Sequence, residues 1–360
     1  MGKKMAGKTI TFCELFAGIG GFRLGLEKVN YGLENIEYAH LSKEPEPKKR
    51  TQRGKRAVDK RPVQLRHRNK PSFRCVYANE FNKYATQIYE RNYEKPDTRD
   101  IREVPATDIP DHDLLTAGFP CQSFSIAGKR GGFNDTRGTL FFEIARILQQ
   151  KQPRLLLLEN VKGLLSHDKG KTFGTILNTL DELGYDCQWQ VLNSKDFGVP
   201  QNRERVFIIG HLRGTSRPEV FPIVGTNEKA LEQLVGGSQG MRVYSDKVST
   251  TIAGLAGGWG AKTGLYAIPV LTPDRPIKRQ NGRRFKEDGE PSFTLTGQDK
   301  HGVFDGAKIR RLAPTECERL QGFPDGWTEG ISDTQRYKCL GNAVTTNVIT
   351  AIGKRLLSFS

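Results

Sequence analysis

Leu155-Leu156-Leu157-Leu158 is an unbroken apolar run that stops abruptly at Glu159-Asn160. A half-buried strand alternates apolar and polar residues. An unbroken run marks a strand covered on both faces, as in the middle of a parallel sheet with helices on either side. Thr9–Phe16, Phe73–Ala78 and Leu114–Ala117 read as further strands. Gly21–Lys28, Asn82–Asn92, Leu140–Gln150 and Thr172–Leu183 read as helices, the last ended by Gly184. Gln188–Leu192 and Arg205–Gly210 read as a later strand pair. Strands alternating with helices predict an α/β fold built on a doubly wound, mostly parallel sheet.

After Gly214 the texture changes. Residues 215–307 are rich in Gly, Thr, Ser and short β-branched runs, which predicts a second, smaller, mostly β domain. Within it Ser249–Gly254 resembles Ser292–Gly297, either a repeated β unit or a chance likeness of Gly/Thr-rich sequence. Thr345–Leu357 reads as an amphipathic helix and implies a return to the first domain. The expected division is therefore 1–214, 215–307 and 308–360, with a basic insertion at about 41–72.

Charge narrows the class of partner. The 360 residues carry a formal net charge of +16, and Lys43–Lys70 alone holds twelve Lys/Arg against three Asp/Glu. A polyanion fits this balance, because neutralising phosphates releases counterions. The run itself reads either as a solvated insertion or as a flap on DNA phosphates. No apolar run approaches membrane-spanning length, and the basic N-terminus lacks a following apolar core. Six scattered cysteines without a Cys-x-x-Cys pattern argue against a zinc site and a disulfide framework, and a reducing, cytoplasmic location fits them. No metal site is expected.

Two segments carry chemistry. In Gly118-Phe119-Pro120-Cys121-Gln122-Ser123-Phe124-Ser125, a cysteine follows a proline just beyond a strand end, the usual place for ligands in open α/β sheets. Pro120 stiffens the approach and the polar neighbours suit a reactive thiolate; the competing reading is a buried, inert thiol. Phe16-Ala17-Gly18-Ile19-Gly20-Gly21 places glycines between a strand and a helix, as a nucleotide-type cofactor requires. The spacing is not Gly-x-Gly-x-x-Gly, which disfavours a pyrophosphate cradle. Glu80 ends the second strand, where an acid holds ribose hydroxyls, and Phe81 reads as an adenine-stacking ring or a core aromatic.

Taken together, these segments resemble the cytosine-C5 DNA methyltransferases of prokaryotic and phage type. The Cys121 octapeptide resembles that family's catalytic loop and Phe16–Phe22 its cofactor loop. Asn79-Glu80-Phe81 resembles its ribose segment and Glu159-Asn160-Val161 its base-holding triplet. Gln201-Asn202-Arg203-Glu204-Arg205 resembles its Gln-x-Arg-x-Arg motif. Arg311–Pro324 resembles the segment that organises the recognition domain, and Gly341-Asn342-Ala343-Val344 the closing cofactor motif. The likeness covers roughly residues 9–214 and 308–358.

The resemblance implies a Rossmann-like catalytic domain using S-adenosyl-L-methionine to methylate C5 of a flipped cytosine in duplex DNA. Cys121 would form a covalent adduct at C6. Glu159 would meet N3 and the exocyclic amine, and Arg205 would meet O2, with Arg203 beside it. The cofactor would be lined by Phe16, Ala17, Gly18, Ile19, Gly20, Gly21, Glu80, Phe81, Asp100, Ile101, Gly118, Pro120, Leu140, Asn342 and Val344. Gln122 and Ser123 would contact the target strand or fill the space the flipped base vacates. Residues 215–307 would form the target-recognition domain, with Arg242, Thr251, Arg284 and Thr294 on DNA and Lys262, Arg283, Gln298 and Lys300 as further basic or polar candidates. A monomer is expected, and a cognate restriction endonuclease stays open as a partner. Three other readings exist: the same chemistry on tRNA, a nicotinamide-dependent oxidoreductase supported by the glycine loop alone, and a DNA-binding module without catalysis. The last predicts a damaged catalytic loop, whereas Pro120-Cys121-Gln122 is intact.

Overall fold

The structure is a computed structural model. It describes residues 9–30, 72–120, 140–215, 219–225 and 309–358, together with 233–235, 243–244, 265–266, 268–271, 283, 285–286, 290–297 and 300–304. Six strands form the central sheet: β1 (Ile10–Leu15), β2 (Phe73–Asn79), β3 (Leu114–Gly118), β4 (Leu155–Val161), β5 (Tyr185–Asn193) and β6 (Glu204–Leu212). Their spatial order is β2-β1-β3-β4-β6-β5. Strands β1 to β4 run parallel, and β6 runs antiparallel to both β4 and β5. The sheet is therefore mostly parallel, and the four leucines of β4 lie in its middle, all buried.

Burial on both faces follows from the helices. Helices α1 (Gly21–Val29), α2 (Lys83–Asn92), α3 (Leu140–Lys151) and α4 (Lys171–Glu182) follow the first four strands. Alternate residues of each strand point to opposite faces. Leu115, Ala117, Leu156, Leu158, Val206 and Ile208 pack with Ile144 and Leu148 of α3 and Ile176 and Leu180 of α4. Phe12, Leu114, Leu155, Leu157, Phe207 and Ile209 pack with Phe22 and Leu26 of α1 on the other face.

That second face is completed by distant sequence. Three helices lie beyond residue 313: α5 (Pro314–Leu320), α6 (Asp333–Asn342) and α7 (Thr346–Leu357). Val348, Ile349, Ile352 and Leu356 of α7 join the α1 core, and the Thr350 hydroxyl donates to Gly25 O at 2.9 Å. Gly25 has no side chain because Ile349 fills the space: a Cβ there would lie 2.5 Å from the Ile349 Cβ. The chain thus returns to its first half.

Between the two halves, short strands form two three-stranded sheets. One contains β7 (Gln233–Val235), β8 (Val243–Tyr244) and β9 (Leu265–Tyr266), and the other β10 (Ile268–Leu271), β11 (His301–Phe304) and β12 (Ile309–Arg311). A third core joins Leu295 and Val303 of this region to α5, α6, Ala85 and Ile88 of α2, and Ile19. Among the described residues, no helix is long and apolar enough to cross a membrane. The basic run 43–70 and the first copy of the suggested repeat lie outside the described residues.

Candidate active site

The order β2-β1-β3-β4 reverses direction at β1, so a crevice opens between β1 and β3 at the strands' carboxyl ends. The glycine turn leaves β1 there. Gly18 and Gly20 have φ of 57° and 83°, and Phe16 itself has φ of 53°, a left-handed backbone uncommon for a bulky residue. Ala17 N donates to Asn79 O at 2.9 Å, which fastens the turn to the end of β2. Glu80 follows. Its two carboxylate oxygens accept from Gly18 N at 2.8 Å and Asn82 N at 2.7 Å. Burial pushes its pKa up, against the pull of these backbone donors. Phe81 is 67% exposed, so it is not a core aromatic.

The remaining cofactor candidates divide by environment. Asp100 caps Arg102 N at 3.0 Å and pairs with its guanidinium, while Ile101 is buried beside α3. Pro120 and Asn342 are exposed, and Leu140 starts α3 half-buried. Val344 is buried against Gly21, where a Cβ would lie 2.7 Å from its Cγ1.

Gly118 and Glu159 are register partners on β3 and β4. A Cβ on Gly118 would sit 3.4 Å from Glu159 Oε2, so the glycine leaves the carboxylate unobstructed on that side. Arg205 opposes Val161 on β6 and lies diagonal to Glu159 on the same face. Its Nε is 3.1 Å from Glu159 Oε1. Burial raises the Glu159 pKa, opposed by the charges of Arg205 and Arg203, and burial lowers that of Arg205. Asn160 points to the opposite face and donates from Nδ2 to Phe119 O at 2.9 Å. The strand carrying Glu159 is thereby tied to the segment that leads into Cys121. Cys121, Gln122 and Ser123 lie outside the described residues, as do Arg242, Thr251, Lys262, Arg284 and Gln298.

Arg203 is placed differently from Arg205. It is 2% exposed, and its guanidinium donates to Leu295 O at 2.9 Å, Ala343 O at 2.8 Å and Gly341 O at 3.1 Å. Burial pushes its pKa down to about 9. It binds the second region and the closing motif to the sheet. Gln201 works alongside: Nε2 donates to Leu320 O at 2.7 Å and Oε1 accepts from Leu295 N at 3.0 Å. Thr294 uses its hydroxyl on Asn202 O, Arg283 pairs with Glu290, and Lys300 is exposed.

Two residues near the site escaped the sequence reading. Glu14, fully buried on β1, accepts from Arg23 N at 3.3 Å and the Tyr89 hydroxyl at 3.2 Å, so it caps α1 from below. Trp327 donates from Nε1 to Ile19 O at 2.9 Å. Neither carries a local signal. Glu14 sits in a strand pattern as an isolated acid, and the partner of Trp327 is some 300 residues away in sequence.

A mostly parallel six-stranded sheet with helices on both faces and a glycine turn after β1 defines a Rossmann-like α/β fold. The likeness to solved structures agrees at the level of fold. A putative DNA modification methyltransferase from an E. coli prophage superposes with a TM-score of 0.59 at 18% identity, covering 98% of this chain and 99% of the other. The S. pombe Dnmt2 methyltransferase gives 0.59 at 18%, covering 97% and 98%.

Sequence comparison narrows the class. The model of the C-5 cytosine-specific DNA methylases matches residues 63–358. The Type II methyltransferase M.SsoII of Shigella sonnei is 37% identical over 96% of this chain and 79% of its own length. M.HhaI of Haemophilus parahaemolyticus is 34% identical over 95% and 93%. The chain belongs to the family of C-5 cytosine-specific DNA methylases.

Proposed function

We propose that this DNA cytosine-C5 methyltransferase acts through Cys121 as nucleophile, Glu159 as proton donor and Arg205 as the cation facing the ring oxygen. Carbon 5 of cytosine is a poor nucleophile. Attack of a thiolate at C6 forms the Sγ–C6 bond and pushes an electron pair toward C5, with charge spreading to N3 and O2. A protonated Glu159 gives its proton to N3, and the raised pKa that burial produces keeps that proton available. Arg205, held 3.1 Å from Glu159, stabilises charge at O2. With C5 made nucleophilic it takes the methyl group. Transfer of the C5 proton to solvent, departure of the thiolate and return of the N3 proton to Glu159 then restore the aromatic ring and the starting enzyme. The observation that carries this reading is the Glu159–Arg205 pair beside the bare Gly118, one strand from the loop that leads to Cys121.

S-Adenosylmethionine fits the crevice. The exposed face of Phe81 suits an adenine ring, and the Glu80 carboxylate, held by backbone donors, presents lone pairs to ribose hydroxyls. Bound there, it supplies an electrophilic methyl group. Gly18 and Gly20 let the backbone approach it closely. Duplex DNA is the substrate, and the base must leave the stack to reach these groups. Residues 215–307 choose the sequence, and Arg203 and Gln201 hold that region in register with the chemistry.

DNA carrying 5-fluorocytosine at the target tests the nucleophile. The fluorine replaces the proton that must leave, so the Cys121 adduct accumulates and survives denaturation. Cys121→Ala should form none. An adduct that persists in the variant means another nucleophile. Bisulfite sequencing of DNA from expressing cells gives the target sequence.

A further inference from the structure

The glycine turn rests on a support that none of its own residues provides. Ile19 is buried in the core shared by α2, α5 and α6. The first backbone bond of α1 runs from Leu24 N to Gly20 O, so the carbonyl of Ile19 lies just ahead of the helix ladder. Trp327 supplies its donor, Nε1–H, at 2.9 Å. The indole is fixed in turn. Its ring meets Tyr93 edge-on at 5.6 Å and Phe323 at 5.5 Å, and its backbone carbonyl accepts from Asn92 Nδ2 at 3.1 Å. Tyr93 also fills the space under Gly20, where a Cβ would lie 2.6 Å from its Cε2.

The loop carrying Trp327 is anchored from the other side. Glu318 of α5 is fully buried and accepts from Gly326 N at 2.7 Å, Thr328 N at 2.8 Å, the Thr328 hydroxyl and Arg336 Nη2 at 3.1 Å. Four donors on one carboxylate fix the loop, because a buried charge tolerates no loss of partners. Leu320, at the end of α5, is the residue gripped by Gln201, which also holds Leu295. Buried hydrogen bonds and α5 therefore connect the second region to the cofactor turn.

We propose that Trp327 is a positioning residue for the methyl-donor site: its indole N–H fixes the Ile19 peptide and thereby the shape of the Gly18–Gly21 turn. Without that donor the buried carbonyl is left unpaired, and the peptide reorients toward water at the expense of the turn. The inference rests on the reading of this turn as the S-adenosylmethionine site.

Trp327→Phe keeps an aromatic ring and removes only the donor. The affinity of the folded protein for S-adenosylmethionine, measured by calorimetry, should fall about threefold to tenfold, the range of one hydrogen bond. KM for the cofactor should rise in step while KM for DNA stays unchanged. The change in tryptophan fluorescence on cofactor addition to the parent should disappear. A purely structural role predicts a lower melting temperature with parental affinity, and a folded Trp327→Phe protein with that affinity overturns the inference. If that variant does not fold, Asn92→Ala, which releases the Trp327 carbonyl, decides by the same readout: weakened cofactor binding supports the inference and parental binding overturns it. A parent that binds no S-adenosylmethionine removes the site reading and the inference together, which separates the two failures.

Discussion

Asn160 Nδ2 donates to Phe119 O at 2.9 Å, so the residue after Glu159 holds the residue two places before Cys121. The bond is buried and joins β4 to the residue just after the neighbouring strand β3. Its loss leaves a buried carbonyl unpaired at a cost of about 1–3 kcal/mol. Asn160→Ala should therefore lower kcat roughly tenfold or more while leaving KM for the cofactor near its parental value. Single-turnover methylation compared with cofactor titration separates the two. Equal losses in both would mean that the bond supports the whole crevice and not the loop.

Glu80 should matter to the cofactor and not to DNA. Its carboxylate is fixed by Gly18 N and Asn82 N, so its free lone pairs point from a rigid frame. Removing one or two charge-assisted hydrogen bonds costs about 1.5–3 kcal/mol each. Glu80→Ala should weaken S-adenosylmethionine binding tenfold or more, with DNA affinity unchanged. Calorimetry showing parental cofactor affinity would take Glu80 out of the site.

Glu14 sets a pH dependence of stability. Burial raises its pKa from 4.5 to about 8, against the Arg23 charge and the bonds from Arg23 N and Tyr89. The folded state thus holds the proton more tightly than the unfolded chain. The contribution is complete below about pH 4.5 and fades as pH rises through about 8. Gln can keep both contacts, accepting from Arg23 N and donating to the Tyr89 oxygen. Glu14→Gln should gain stability relative to the parent between pH 5 and 9. Melting curves that stay parallel over that range would show that Glu14 does not carry the effect.

Target choice should travel with residues 215–307. Arg203 and Gln201 meet this region through the backbone of Leu295, and backbone contacts tolerate a change of side chains. Grafting the corresponding stretch from a methyltransferase of different specificity should transfer that specificity. An active chimera that still methylates the parental sequence would place recognition elsewhere.

Much of the fold was legible because its signals are local. The leucine run of β4 reports burial on two faces, and the glycines after β1 report a turn that side chains would obstruct. Element limits shifted only slightly: β5 begins at Tyr185 rather than Gln188, since its outer residues lie at the sheet edge and lack a clean apolar pattern. The candidate site was legible as motifs and residue types, not as geometry. The family resemblance assigned the ring oxygen to Arg205, but residue type alone does not separate it, beside Glu159, from Arg203, which spends its guanidinium on three backbone carbonyls. Arg205 lies on β6 and Arg203 just before it, and only the neighbouring chain decides which of them reaches the carboxylate.

By itself, the sequence determined the alternation of strands and helices, the glycine turn, the isolated acids at strand ends and the motif order of a cytosine-C5 methyltransferase. These depend on backbone freedom, burial period and residue chemistry within a few positions. Tertiary structure alone decided the partners: Asn160 with Phe119, Arg203 with Leu295 and Ala343, Trp327 with Ile19. Each joins segments dozens to hundreds of residues apart. Such bonds are chosen by which buried donor meets which unpaired carbonyl once the sheet and its two crossing halves have packed, and no local pattern encodes that meeting.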